Sequence, residues 1–100
     1  MSDTYILKDD HSVKKTETME WALWFNTANR TVLKDNVCGF LISTVFLGLD
    51  HSFGGDKPQI FETMVFDDTS EERQCEHYTT WDDAVAGHNR MVALIKERTK

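Results

Sequence analysis

Two apolar runs separated by a polar, glycine-bearing loop constrain this chain more than any other feature. The first spans Phe40 to Leu49 and the second Gln59 to Phe66, both rich in β-branched and aromatic residues. Apolar runs of that length bounded by turn residues read as buried strands. Between them Asp50, His51, Ser52, Phe53, Gly54 and Gly55 make a loop longer than a tight hairpin needs. Such loops are where functional groups tend to sit.

Side chains alternate across a strand, so parity separates the two faces of each run. In the first run Phe40, Ile42, Thr44 and Phe46 share one face, while Leu41, Ser43, Val45, Leu47 and Leu49 share the other. Both faces are largely apolar, so both are expected to be covered; a sheet with one wet side would alternate more cleanly. In the second run Ile60, Glu62, Met64 and Phe66 share a face, which sets a carboxylate among apolar neighbours. That is unusual for glutamate.

Helical spacing appears twice. Trp21, Trp24, Phe25 and Ala28 follow i, i+3, i+4 and i+7, which predicts an amphipathic helix over 18–29. Thr16 or Thr18 offers its N-cap, and Glu17 and Glu20 suit the positive end of its dipole. Aromatic stripes at this spacing are core more often than ligand cage, so Trp21 and Trp24 are read as core. The second helix starts at Thr80, whose hydroxyl caps, with Asp82 and Asp83 in the first turn and Lys96, Arg98 and Lys100 at the far end. Trp81, Ala84, Val85, His88, Met91, Val92 and Ile95 form its apolar stripe. Gly87 costs about 1 kcal/mol there relative to alanine, which suggests close approach of another element. A histidine on such a face is more often a hydrogen-bonded core residue than a ligand.

The remaining segments are less patterned. Arg30 to Lys34 turns towards β character, and Asp35-Asn36 is expected to turn the chain before Val37. Asp67 to Glu72 reads as an acidic, solvated loop, and Glu76 to Thr79 as a short edge strand. Residues 1–15 are polar except Tyr5-Ile6-Leu7, an arm or an edge strand. The expected fold is α+β: an antiparallel sheet of three to five strands with two helices, in the order (β)-α-β-β-β-(β)-α. Its core would hold Trp21, Trp24, Phe25, Phe46, Val85 and Val92.

At 100 residues the chain is expected to form a single domain over 1–100. A net charge of −6 argues against binding duplex nucleic acid, which needs a basic footprint. No run is long enough to span a membrane, and the charges near the N-terminus leave no apolar core for a signal peptide. The default expectation is a cytoplasmic protein. Cys38 and Cys75 form no CxxC pair and no metal-spaced cluster, so they are read as free thiols.

The run Glu20-Trp21-Ala22-Leu23-Trp24-Phe25, then Arg30-Thr31-Val32, then Ser43 to His51 resembles a group of small uncharacterised bacteriophage and prophage proteins. The similarity continues through Phe61 to Phe66, Thr80-Trp81-Asp82, Ala86-Gly87-His88 and Met91-Val92, roughly residues 20–92 in all. Asn26 departs from it, standing where an acid is common, and Asp67-Asp68 stands where glycines often follow the third strand. The resemblance implies a phage origin and action in the host cytoplasm. By analogy with small phage proteins it also implies binding of a host factor, defence systems included.

No catalytic set emerges from the residues. Ser43, Ser52, Cys38 and Cys75 lack a nucleophile motif, and Gly54-Gly55 fits neither a Walker loop nor a dinucleotide fingerprint. The candidate ligand-binding set is Arg30, Asp50, His51, Phe53, Gly54, Gly55 and Glu62, which would hold a small polar ligand such as a nucleotide signal or dock a host protein. The plainer reading is that Asp50 and His51 end a strand, Phe53 caps the core and Glu62 pairs with Arg30 or His51. A weaker alternative is a metal-dependent hydrolase using Asp50, His51, Glu62 and His77. The preferred expectation is a non-enzymatic accessory protein without a cofactor. Because two helices offer little cover for a sheet apolar on both faces, a homodimer through residues 40–49 and 59–66 is also expected.

Overall fold

The computed structural model describes residues 3–50, 57–67, 69 and 72–98, with the side chains of 72 and 73 left aside. The chain is α+β, with two antiparallel sheets and two helices. Its elements run β1 (Thr4–Leu7), β2 (Val13–Thr16), α1 (Thr18–Thr27), β3 (Thr31–Val37), β4 (Phe40–Phe46), β5 (Phe61–Phe66), β6 (Glu72–Tyr78) and α2 (Trp81–Arg98). Strands β3 to β6 form a meander in sequence order, every pair antiparallel, while β1 and β2 form a separate hairpin. No described helix is long and apolar enough to cross a membrane.

The central strand shows the parity pattern sharply. Ile42, Thr44 and Phe46 are fully buried, and their partners Val65, Thr63 and Phe61 on β5 are too. Helix α2 covers this face, touching all four strands and burying Ala84, Gly87, His88, Met91 and Ile95. Its start is as expected: the Thr80 hydroxyl accepts the Asp83 N–H at 3.1 Å, and Asp82 and Asp83 lie in the first turn. The opposite sheet face is less covered within the single chain. Leu41, Ser43 and Val45 on β4, with Glu62, Met64 and Phe66 on β5, are only half-buried. A single helix spans one face of a four-stranded sheet, and α1 went elsewhere.

Strand β4 stops at Phe46 rather than Leu49 because Gly48 turns to a left-handed φ of 75°. A Cβ there would collide with the Trp21 indole and the Tyr5 carbonyl. Three elements therefore meet on a bare backbone. The Tyr5 N–H donates to the Gly48 carbonyl at 2.7 Å, and Thr4 bridges Leu49, so the hairpin extends the sheet past the end of β4. Tyr5-Ile6-Leu7 is thus a strand; its partner, β2, carries two exposed lysines and gives no strand signal in sequence.

Other boundaries moved for local reasons. Asp35 and Asn36 lie within β3, and the turn falls at Cys38 and Gly39, both at positive φ (52° and 85°), as two-residue hairpins demand. Strand β6 is seven residues long, because pairing with β5 organises a segment too polar to announce itself. Helix α1 begins after Glu17, with no side-chain cap from Thr16 or Thr18. None of its residues is buried. Trp24 reaches the core by its edge, with its ring 5.4 Å from Phe46. Val85 and Val92 are half-buried, so the core centres instead on Ile42, Phe46, Ile60, Phe61 and Val65.

At Gly87 the backbone of α2 comes close to Tyr78 of β6. A Cβ at this position would lie 2.2 Å from both Cζ and Oη of Tyr78, so the helix backbone packs directly against the phenol. Alanine improves helix propensity by about 1 kcal/mol, but forcing the ring aside costs about 1–3 kcal/mol. Gly87→Ala is therefore expected to lower the urea midpoint; a raised midpoint would show that the contact does not hold the helix.

Candidate functional site

Two polar clusters stand on opposite faces of the main sheet. The inner one lies beneath α2. His88, fully buried, has Nδ1 2.7 Å from the Thr44 hydroxyl and Nε2 2.7 Å from Asp35 Oδ2. The Thr44 hydroxyl is 2.5 Å from that of Thr63. Thr63 in turn bonds the Tyr78 phenol, which donates to Glu76 Oε1 at 2.6 Å. Arg90 also reaches Glu76, at 3.4 Å. One chain of hydrogen bonds thus crosses the sheet from the carboxylate of β3 to that of β6.

The order Asp35–His88–Thr44 has the connectivity of a nucleophilic triad, in which a carboxylate orients an imidazole that serves a hydroxyl. Accessibility decides against that chemistry. Thr44, Thr63 and His88 are each at 0% exposure, so no substrate reaches the hydroxyl. The cluster satisfies buried polar groups, as expected for a histidine on an apolar helix face.

The outer cluster sits on the half-open face. Register places Glu62 directly opposite His77, and Met64 opposite Cys75, so Cys75 is diagonal to Glu62 on the same side. His77 Nε2 donates to Glu62 Oε2 at 2.9 Å, and the Cys75 thiol donates to the same oxygen at 3.4 Å. The carboxylate among apolar neighbours is thereby explained. Its donors come from β6 and not from Arg30.

The other residues singled out in sequence are dispersed. The Arg30 guanidinium lies 3.7 Å above the Phe25 ring, a cation–π contact. Asp50 Oδ1 accepts the Gln59 N–H at 2.9 Å and so ties together the two ends of the long loop. His51, Phe53, Gly54 and Gly55 lie outside the described residues. Of the four groups in the metal alternative, Glu62 and His77 meet, and among the described residues the trio that closes is Glu62, Cys75 and His77. Cys75 was missed because the sequence starts the edge strand after it. Had β6 been drawn from Glu72, the Cys75-x-His77 alternation would have put both on one face.

A cleft of about 530 Å3 lies between the hairpin tip, the end of α1 and the start of α2. His11 stacks on Trp81 at one wall, with ring centroids 3.7 Å apart. Its lining includes Lys8, Asp9, Trp24 and Asn29. No family model, curated protein or solved structure matches this chain.

The inner chain has a pH consequence. Burial, and then the bond to Glu76, push the Tyr78 phenol from 10.0 up to about 12. A group raised in the folded state contributes stability below its unfolded value and loses it as pH rises through the folded one. Urea midpoints are expected to fall between pH 10 and about 12, and to fall less in Tyr78→Phe. His88→Leu leaves the buried Thr44 hydroxyl short of a partner and should cost about 1–3 kcal/mol in urea unfolding. A loss below about 0.5 kcal/mol would mean the chain adds little.

Proposed function

We propose that this chain is a non-enzymatic binding protein that docks a host protein through the outer face of α1. Met19 and Leu23 carry the reading: they are 71% and 70% exposed, the large apolar side chains most open to solvent among the described residues. They stand four residues apart, one turn of helix, on the side opposite Trp21, Trp24 and Phe25. A helix apolar on both sides is ordinarily buried on both. Ala22, Asn26 and Thr27 continue the outer face without a charge. The Thr44 hydroxyl and the His88 imidazole of the inner chain are sealed from solvent, which supports binding over catalysis. The resemblance to small phage proteins supports a host protein as the partner.

The test is capture from lysate of a bacterial host, with the full chain and a Met19→Glu/Leu23→Glu variant side by side. Since α1 buries no residue, the variant is expected to keep its circular dichroism and urea midpoint. A host protein retained by the original chain and lost by the variant is the expected outcome. Equal capture by both chains, or no capture by either, overturns the reading. Light scattering that gives two chains for the original and one for the variant would instead make a second copy the occupant of this face.

A further inference from the structure

We propose that Glu62, Cys75 and His77 bind a zinc ion on the half-open face of the main sheet. The three side chains supply a carboxylate oxygen, a thiolate sulfur and an imidazole nitrogen, the donor types that zinc accepts in tetrahedral sites. Their ligand atoms all lie within 4.8 Å of one another. Zinc bonds of about 2.0–2.3 Å place tetrahedral ligands roughly 3.3–3.8 Å apart. The observed 2.9 Å between His77 and Glu62 and 3.4 Å between Cys75 and Glu62 lie close to that spacing, and side-chain rotation has to bring Cys75 and His77, within 4.8 Å of each other, to it as well.

The backbone holds this arrangement before any ion arrives. Cys75 and His77 alternate on β6, and Glu62 is hydrogen-bond registered against them on β5. Three donors on two paired strands are pre-positioned, in contrast to donors on separate loops. The side-chain exposures, 32% for His77 and 16% for Glu62, leave the site open to solvent. Three protein ligands and a solvent-facing fourth position describe zinc centres that keep a water or take an outside ligand. The ion would also clip edge strand β6 to its neighbour.

The proton balance is explicit. Without the ion, Nε2–H and Sγ–H both point at Glu62 Oε2. Zinc takes the place of both hydrogens. The thiol releases its proton to solvent, while the neutral imidazole gives up Nε2 to the metal and carries its proton on Nδ1. Affinity therefore rises with pH as the thiol becomes easier to ionise. None of these groups belongs to α1, so the site is independent of the docking face.

Titration of the untagged full chain with zinc, read by calorimetry and by thermal unfolding, tests the proposal directly. One ion per chain and a raised melting temperature are expected, with cobalt(II) giving a sulfur-to-metal charge-transfer band in the near ultraviolet. Outer-shell changes alone weaken zinc sites about 10–100-fold, so Cys75→Ser and His77→Gln should each cost at least about tenfold. Cys75→Ser should also abolish the cobalt band, while Cys38→Ser keeps it. Absence of stoichiometric zinc binding by the unsubstituted chain overturns the proposal, however the variants fold. So does a cobalt band that survives Cys75→Ser or disappears in Cys38→Ser.

Discussion

His88 is the interaction on which the packing of α2 depends. An imidazole at the centre of an apolar interface is tolerable only if both ring nitrogens have partners, since each orphaned group costs about 1–3 kcal/mol. Asp35 from β3 and Thr44 from β4 supply them, and Thr63 and Tyr78 carry the bonding on to Glu76. The helix is thereby fixed in rotation and in height, because a shift of one turn would strand several buried polar groups at once.

The two glycines with the tightest surroundings serve the same geometry. Gly87 lets the Tyr78 phenol lie against the helix backbone, where it can bond Thr63 and Glu76. Gly48 lets the Trp21 indole and the Tyr5 carbonyl converge on the end of β4, which joins the hairpin and α1 to the main sheet. The first contact seats the long helix and the second anchors everything before β3. In both, the missing Cβ is the condition for contact, which hydrophobic patterning does not reveal.

Polar groups on the two faces of the sheet have opposite fates. Under α2 Thr44, Thr63 and His88 are buried, hydrogen-bonded and out of reach of any substrate, although the order Asp35–His88–Thr44 imitates a catalytic triad. On the other face Glu62, Cys75 and His77 use the same cross-strand geometry in the open, where the donors remain accessible. Burial separates a structural network from a binding site even where the residue types are alike.

Strand parity in residues 40–46, the glycine at 87 and the Thr80-capped helix were legible in the sequence because each is local. Alternation, propensity and capping act over a few residues and need no tertiary partner. The outward turn of Met19 and Leu23, the strands β2 and β6, and the meeting of Cys75 with Glu62 were decided by the tertiary structure. Polar segments such as Val13–Thr16 and Glu72–Tyr78 become strands only when a neighbour offers a ladder to complete. Likewise, the partner of Glu62 depends on register between β5 and β6, a long-range quantity set by the whole sheet. The sequence determined which residues alternate and which helix is capped; packing decided which of them would touch.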